Sequence, residues 1–211
     1  MTSRAVVVLA KLPGRGKTRL VPAIGAAGAF ELAEAMLLDT LEALEKLDPM
    51  IDRVLAIDGD YERKGWRTIA QAPGDLGARI DAARREAAAD HVAIVGTDAP
   101  LMSAARVEEA LARLALADAV FGPTLDGGYD LIALARAEPA LLRDIPWSTE
   151  RVMGETRARA GEAGRVIAEL EESFDVDVPD DLDRAREALA TRDPAIATRT
   201  RAVLARLLVP R

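Results

Sequence analysis

Ten residues near the start of the chain, "KLPGRGKTRL" (Lys11–Leu20), set four cations beside two glycines and a proline. The apolar run just before them, "AVVVLA" (residues 5–10), reads as a buried β-strand. Lys11, Arg15, Lys17 and Arg19 therefore gather at a strand's carboxyl end, the edge where open α/β sheets bind ligands. Gly14 and Gly16 allow a ligand close to the backbone, and Pro13 stiffens the loop. Four cations this close repel one another, and a polyphosphate would relieve that repulsion; the plainer reading is a solvated basic turn. The "GKT" within the loop is not a Walker A element. That motif needs a glycine five residues before the glycine of GK[ST], and here the position is Lys11.

Carboxylates recur at other strand ends. Asp98 in "VGTDAP" follows a strand-like run and precedes a proline, which suits either a ligand-binding carboxylate or an Asx-turn. Asp126 lies in "LDGG", where Gly127 and Gly128 suggest a hairpin turn. In "FDVDVPDDL", Asp175 and Asp177 alternate along an expected strand and so share a face. Two carboxylates about 4 Å apart repel by about 4 kcal/mol at an effective dielectric of about 20, a penalty that a divalent cation removes. Asp98 could add a further ligand if the strands converge. Asp180 and Asp181 have a simpler role in the first turn of a helix, where they favour its dipole. "QAPGDLGARI" places Gly74 and Gly77 before a helix and Arg79 one turn into it, a loop that could surround a base or ribose or simply connect two elements. "IPWSTERV" offers Trp147 as an acceptor-pocket wall or a core residue, with Ser148 or Thr149 as a helix N-cap.

The elements that must position these groups alternate in kind. Strands are expected at residues 5–10, 53–58, 67–72, 91–96, 118–123, 129–135, 165–170 and 174–178. Helices are expected at 28–46, 76–89, 104–116 (capped by Ser103, with a Glu109–Arg113 pair), 149–163 and 179–190. Strands joined by helical crossovers imply an α/β fold with a mostly parallel central sheet. A single domain over residues 1–190 is followed by a tail, 191–211, with five arginines against one aspartate. The tail reads as an amphipathic helix lying on the domain or on a second subunit, as in a homodimer.

Bulk properties narrow the chemistry. The 211 residues include no cysteine and one histidine, His91, which excludes disulfides, thiolate chemistry and multi-histidine metal sites. A metal here would be held by oxygen, as Mg²⁺, Mn²⁺ or Ca²⁺ is. A net charge of −7 argues against nucleic acid as a partner. Nothing reaches about 18 consecutive apolar residues, and the start has no signal-peptide layout, so no membrane span and a cytoplasmic setting are expected.

Taken in order, "KLPGRGKTRLVPAIG", "GDLGAR", "GTDAPLM", "GPTLDGGYDLIAL", "IPWSTERV" and "DVDVPDDL" resemble the GT-A-like nucleotide-diphospho-sugar transferase superfamily. The nearest resemblance is to the radical-SAM/selenodomain-associated, or arsenosugar-biosynthesis-type, glycosyltransferases. The guanylyltransferases for 2-phospho-lactate and molybdenum cofactor are similar at a greater distance. The resemblance implies a Rossmann-like GT-A fold, with helices on both faces of the sheet. It places Lys11, Lys17 and Arg19 on the phosphates, Asp98, Asp175 and Asp177 on Mg²⁺ (or Mn²⁺), and Asp126 on the acceptor side as a candidate base. The chain has "TDA" where many glycosyltransferases of this fold have two carboxylates in a DxD motif. The expected donor is a nucleotide or nucleotide sugar and the acceptor a small molecule, with Lys17 and Asp126 as catalytic groups and Gly127, Gly128, Trp147, Ser148 and Thr149 around the acceptor pocket. The family name favours sugar transfer from a nucleotide-diphospho-sugar, which ranks first by a narrow margin, whereas the basic loop favours a nucleoside triphosphate and nucleotidyl transfer. A non-catalytic nucleotide-binding partner protein is the third possibility.

Overall fold

Every residue of β1 (Arg4–Lys11) from Ala5 to Val8 is buried, and the strand alternates its side chains between two cores. Val6, Val8 and Ala10 enter one core, and Ala5 and Val7 enter the other. The computed structural model describes residues 2–13 and 15–208; Gly14, assigned to the phosphate loop on sequence, lies outside them. β1 pairs in parallel with β2 (Ile51–Asp58) on one side and with β4 (His91–Val95) on the other. The remaining strands are β3 (Arg67–Ala70), β5 (Ala119–Pro123), β6 (Tyr129–Leu134) and β7 (Ile167–Glu169). They complete a seven-stranded sheet in the order β3-β2-β1-β4-β6-β5-β7. Only β6 runs against its neighbours, because a short turn joins it to β5 as a hairpin. The order reverses around β1, so a crevice opens at the carboxyl ends of β1 and β4.

One face of the sheet is covered by α1 (Val21–Leu44) and α3 (Ala104–Arg113), the other by α2 (Leu76–Ala87), α4 (Pro139–Leu142) and α5 (Val152–Glu162). This is the α/β sheet with helices on both faces that the sequence implied. Ser103 caps α3 by accepting from the Arg106 backbone N–H at 3.2 Å, and Glu109 pairs with Arg113, both as expected.

Three departures from the sequence reading stand out, beyond shifts of a few residues at other element ends. α1 begins seven residues earlier than the periodicity suggests, because Pro22 starts a short first segment and Gly25 (φ 73°) breaks the helix without ending it. α5 begins at Val152 rather than Thr149. Ser148 takes a positive φ of 63°, and Thr149 bonds within the turn, so neither caps the helix. The segment "FDVDV" is not a strand. The single bridge near it, Thr124–Ser173, lies one residue before the segment, and residues 174–178 themselves join no ladder.

A third core lies outside the sheet. Here α1 packs against α6 (Pro179–Ala190) and α7 (Thr198–Leu207) through Leu32, Met36, Leu182, Leu189, Val203 and Leu204. With the turn before it, α1 is long and apolar enough to cross a membrane by length and composition. Its apolar flanks are divided between the sheet and these two helices. The tail helix α7 thus has its buried side on α1 of the same chain. Asp39 fastens it there, accepting from the backbone N–H groups of Arg199 (3.2 Å) and Thr200 (2.8 Å) and from the Arg199 guanidinium. Asp39→Ala removes this cap and should cost about 1–2 kcal/mol. Hydrogen exchange in α7 and the urea midpoint will read the loss, and an unchanged midpoint would show that apolar packing alone holds the helix.

Candidate active site

The crevice is a cleft of about 680 Å³. Its walls come from the loop after β1, the turn after β4, the β5–β6 hairpin, residues 147–150 and the segment before α6. Lys11, Gly16, Lys17 and Arg19 line it, as do Asp98, Asp126, Asp175 and Asp177, so the fold brings the basic loop and all four candidate carboxylates together. Gly128, Trp147, Ser148, Thr149 and Arg79 also border it.

Gly74, Gly77 and Gly127 do not line the cleft. Gly77 lets the start of α2 approach the Leu142 carbonyl and the Trp147 ring, and Gly127 (φ 84°) lets the hairpin turn approach the Glu150 backbone. A side chain at either position would collide with that backbone, so these glycines act through close packing. Gly74 shapes the turn before α2, and its carbonyl accepts from Arg79 Nε at 3.1 Å.

At the centre of the cleft Lys17 bridges two acids. Its Nζ lies 2.5 Å from Asp98 Oδ1 and 2.9 Å from Asp177 Oδ1, and its side chain is 3% exposed. Burial works against its charge, yet Asp98 and Asp177 outweigh burial and hold its pKa above the ordinary value. Lys17 adopts a left-handed backbone (φ 53°), which costs about 1–2 kcal/mol for a side-chain-bearing residue, so the loop is held against local preference.

The carboxylate segment 174–178 is placed by packing. Phe174 and Val176 are buried in the third core, which turns Asp175 and Asp177 the other way, into the cleft. The Val176 N–H donates to the Asp98 carbonyl at 2.9 Å, and Asp181 accepts from the N–H groups of Asp177 and Val178. The common face expected of Asp175 and Asp177 is therefore real, although no strand creates it. Burial pushes the Asp175 carboxyl up to about 7, with Asp126, Asp177 and Asp98 adding like-charge repulsion.

Asp126 has a structural duty as well. Its Oδ1 accepts from Thr124 Oγ1 at 2.6 Å and from the Gly128 N–H at 2.9 Å, closing the hairpin turn. Trp147 lines the cleft and also packs edge-on to Tyr129, with centroids 6.1 Å apart, so it serves both roles considered for it. Among the described residues, no three acidic or histidine side chains already stand at metal-ligand geometry. An all-oxygen donor set with more carboxylates than cations at its centre nonetheless suits a hard divalent ion.

Two contributors escaped the sequence reading. Gln71 Nε2 donates to the carbonyls of Ala10 (2.6 Å) and Ala56 (3.0 Å), tying the ends of β1 and β2 at the cleft edge. Asp130 lies in the cleft floor, paired with Arg106 at 3.0 Å and with its Oδ2 buried and unpartnered. An aspartate inside the apolar strand "YDLIAL" was the available signal for it.

The fold and the known proteins that the chain resembles mark it as a nucleotide-using transferase. A solved structure from Desulfovibrio desulfuricans, assigned to the nucleotide-diphospho-sugar transferases, superposes with a TM-score of 0.86. It is 27% identical and covers 98% of this chain and 95% of its own. The 2-C-methyl-D-erythritol 4-phosphate cytidylyltransferase of Thermus thermophilus shares the fold, with a TM-score of 0.52 and 18% identity over 91% of this chain and all of its own. The phosphoenolpyruvate guanylyltransferase of Conexibacter woesei is 30% identical over 99% of this chain and 97% of that protein. The chain belongs to the family described as "Uncharacterized protein conserved in bacteria (DUF2064)", whose profile matches residues 32–149.

The raised Asp175 carboxyl gives a pH signature. Its folded-state value of about 7 exceeds the ordinary 3.8, so the folded state holds a proton that the unfolded state releases, and stability is lost as pH rises through that window. Asp175 is partly exposed, so solvent discounts the effect. In EDTA at pH 8, Asp175→Asn should melt about 2–4 °C above the wild type. The gap should close toward pH 4, and a gap independent of pH would show that ionising Asp175 costs the fold nothing.

Proposed function

We propose that this protein transfers a nucleoside monophosphate from a nucleoside triphosphate to a small acidic acceptor and releases pyrophosphate. The division of charge in the cleft carries this reading. Among the described residues Lys11, Arg15 and Arg19 form no ion pair, which leaves three cations of the first loop for an anionic chain. A triphosphate, which carries more negative charge than a diphosphate sugar, makes fuller use of them. The similarity to a phosphoenolpyruvate guanylyltransferase along nearly the whole chain supports the same choice, and it suggests a phosphorylated carboxylic acid as acceptor and GTP as donor. This reverses the order suggested by the family resemblance, which ranked sugar transfer first.

In the proposed reaction an acceptor oxygen forms a bond to the α-phosphorus. The bond from that phosphorus to the bridging oxygen breaks, and pyrophosphate leaves with the electron pair. Lys11, Arg15 and Arg19 hold the β- and γ-phosphates, and Arg79 lies toward the base or ribose. Gly128, Trp147, Ser148 and Thr149 border the acceptor side. Asp98, Asp175 and Asp177 would hold Mg²⁺ or Mn²⁺, which when bound neutralises charge on the phosphate oxygens. An acceptor that arrives ionised needs no general base, which fits Asp126 spending one oxygen on its own turn. Positioning and charge neutralisation do the remaining work.

Sugar transfer is the second reading, favoured by the close superposition on the Desulfovibrio protein. Pyrophosphate release with each of the four nucleoside triphosphates, against a panel of phosphorylated carboxylic acids that includes phosphoenolpyruvate, separates the two. Release with one triphosphate that depends on the acceptor supports nucleotidyl transfer. Release of a nucleoside diphosphate from a nucleotide sugar, with no triphosphate active, overturns it. Lys11→Ala should then raise KM for the triphosphate about 10-fold, the value of one charge-assisted contact, with little change in kcat.

A further inference from the structure

Of the four loop cations, Lys17 alone is turned inward. It is almost fully buried between Asp98 and Asp177, whereas Lys11, Arg15 and Arg19 pair with no acid among the described residues. The two carboxylates it bridges belong to the set proposed to hold a divalent ion. An ammonium and a divalent cation cannot share the same oxygens without strong repulsion, and the negative charge of a triphosphate is the natural alternative partner for the ammonium.

We propose that Lys17 is a displaceable internal cation that holds Asp98 and Asp177 together before substrate arrives and is exchanged for the divalent ion when phosphate receives its ammonium. The exchange makes metal and nucleotide bind cooperatively, since each removes the obstacle to the other. It also gives a purpose to the left-handed backbone at Lys17, which aims the side chain at the carboxylates and away from its neighbours in the loop. The inference rests on the cleft being a nucleotide site, but its central step, competition for two carboxylates, is measurable with metal alone.

Electron paramagnetic resonance of free Mn²⁺ would be titrated against the purified full chain as wild type and as Lys17→Met, each with and without GTP. The wild type should bind Mn²⁺ weakly alone and more tightly with GTP. Lys17→Met should bind Mn²⁺ alone at least ~10-fold more tightly than the wild type and lose most of the GTP dependence. Equal or weaker Mn²⁺ binding by Lys17→Met overturns the proposal and makes Lys17 a fixed structural partner. If the variant binds Mn²⁺ more tightly but no nucleoside triphosphate binds either protein, the competition between Lys17 and the metal stands and the nucleotidyl reading falls. Should Lys17→Met not fold, the wild type labelled at lysine Cε and titrated with Mg²⁺ plus GTP answers instead. Movement of the Lys17 resonance supports exchange, and a resonance that stays in place refutes it.

Discussion

A buried ammonium held between two carboxylates from distant parts of the chain is the contact on which the cleft depends. Lys17 comes from the loop after β1, Asp98 from the turn after β4, and Asp177 from the segment that leads into α6. Without that cation, acids from two segments would face each other, with Asp175 and Asp126 close enough to add to the repulsion. With it, three loops that share little backbone hydrogen bonding are drawn to one point. The left-handed turn at Lys17 is the local cost of that convergence, and the surrounding ion pair offsets it.

The rest of the molecule places those three loops. β1 sits between β2 and β4, so the carboxyl ends of β1 and β4 are adjacent and deliver Lys11 and Asp98 to the same edge. The β5–β6 hairpin turns back at Asp126, and the antiparallel pairing of β6 with β4 brings that turn to the cleft. α1 has a double role, since it covers one face of the sheet and anchors the third core. Through Phe174 and Val176 that core fixes the acid segment, so packing remote from the cleft decides where Asp175 and Asp177 point.

Much of this was legible in the chain. The β-branched run before Lys11, the alternation of strands and helices and the Ser103 cap led to the observed architecture, because each rests on short-range spacing that tertiary contacts did not override. The basic loop and the acid clusters were legible as a set, since like charges that close in sequence need a partner. The individual duties were harder to see. Gly77 and Gly127 look like ligand-contact glycines in sequence, yet both serve close backbone packing. Asp126 looks like either a base or a turn residue, and only the hydrogen bonds show that one of its oxygens closes the turn. Asp130 and Gln71 carried little local pattern, because their partners lie far away in sequence or on the main chain.

By itself the sequence determined the fold class, the exclusion of thiol and histidine-metal chemistry, and the identity of the charged groups at the strand ends. These follow from composition and from periods of two and about 3.6 residues, which are local properties. Tertiary structure alone decided that Lys17, unlike its three basic neighbours, turns toward Asp98 and Asp177, and that Asp175 and Asp177 share a face without a strand. Both depend on contacts across about 80 to 160 residues, where burial and electrostatics between distant segments set the outcome and no local pattern records it.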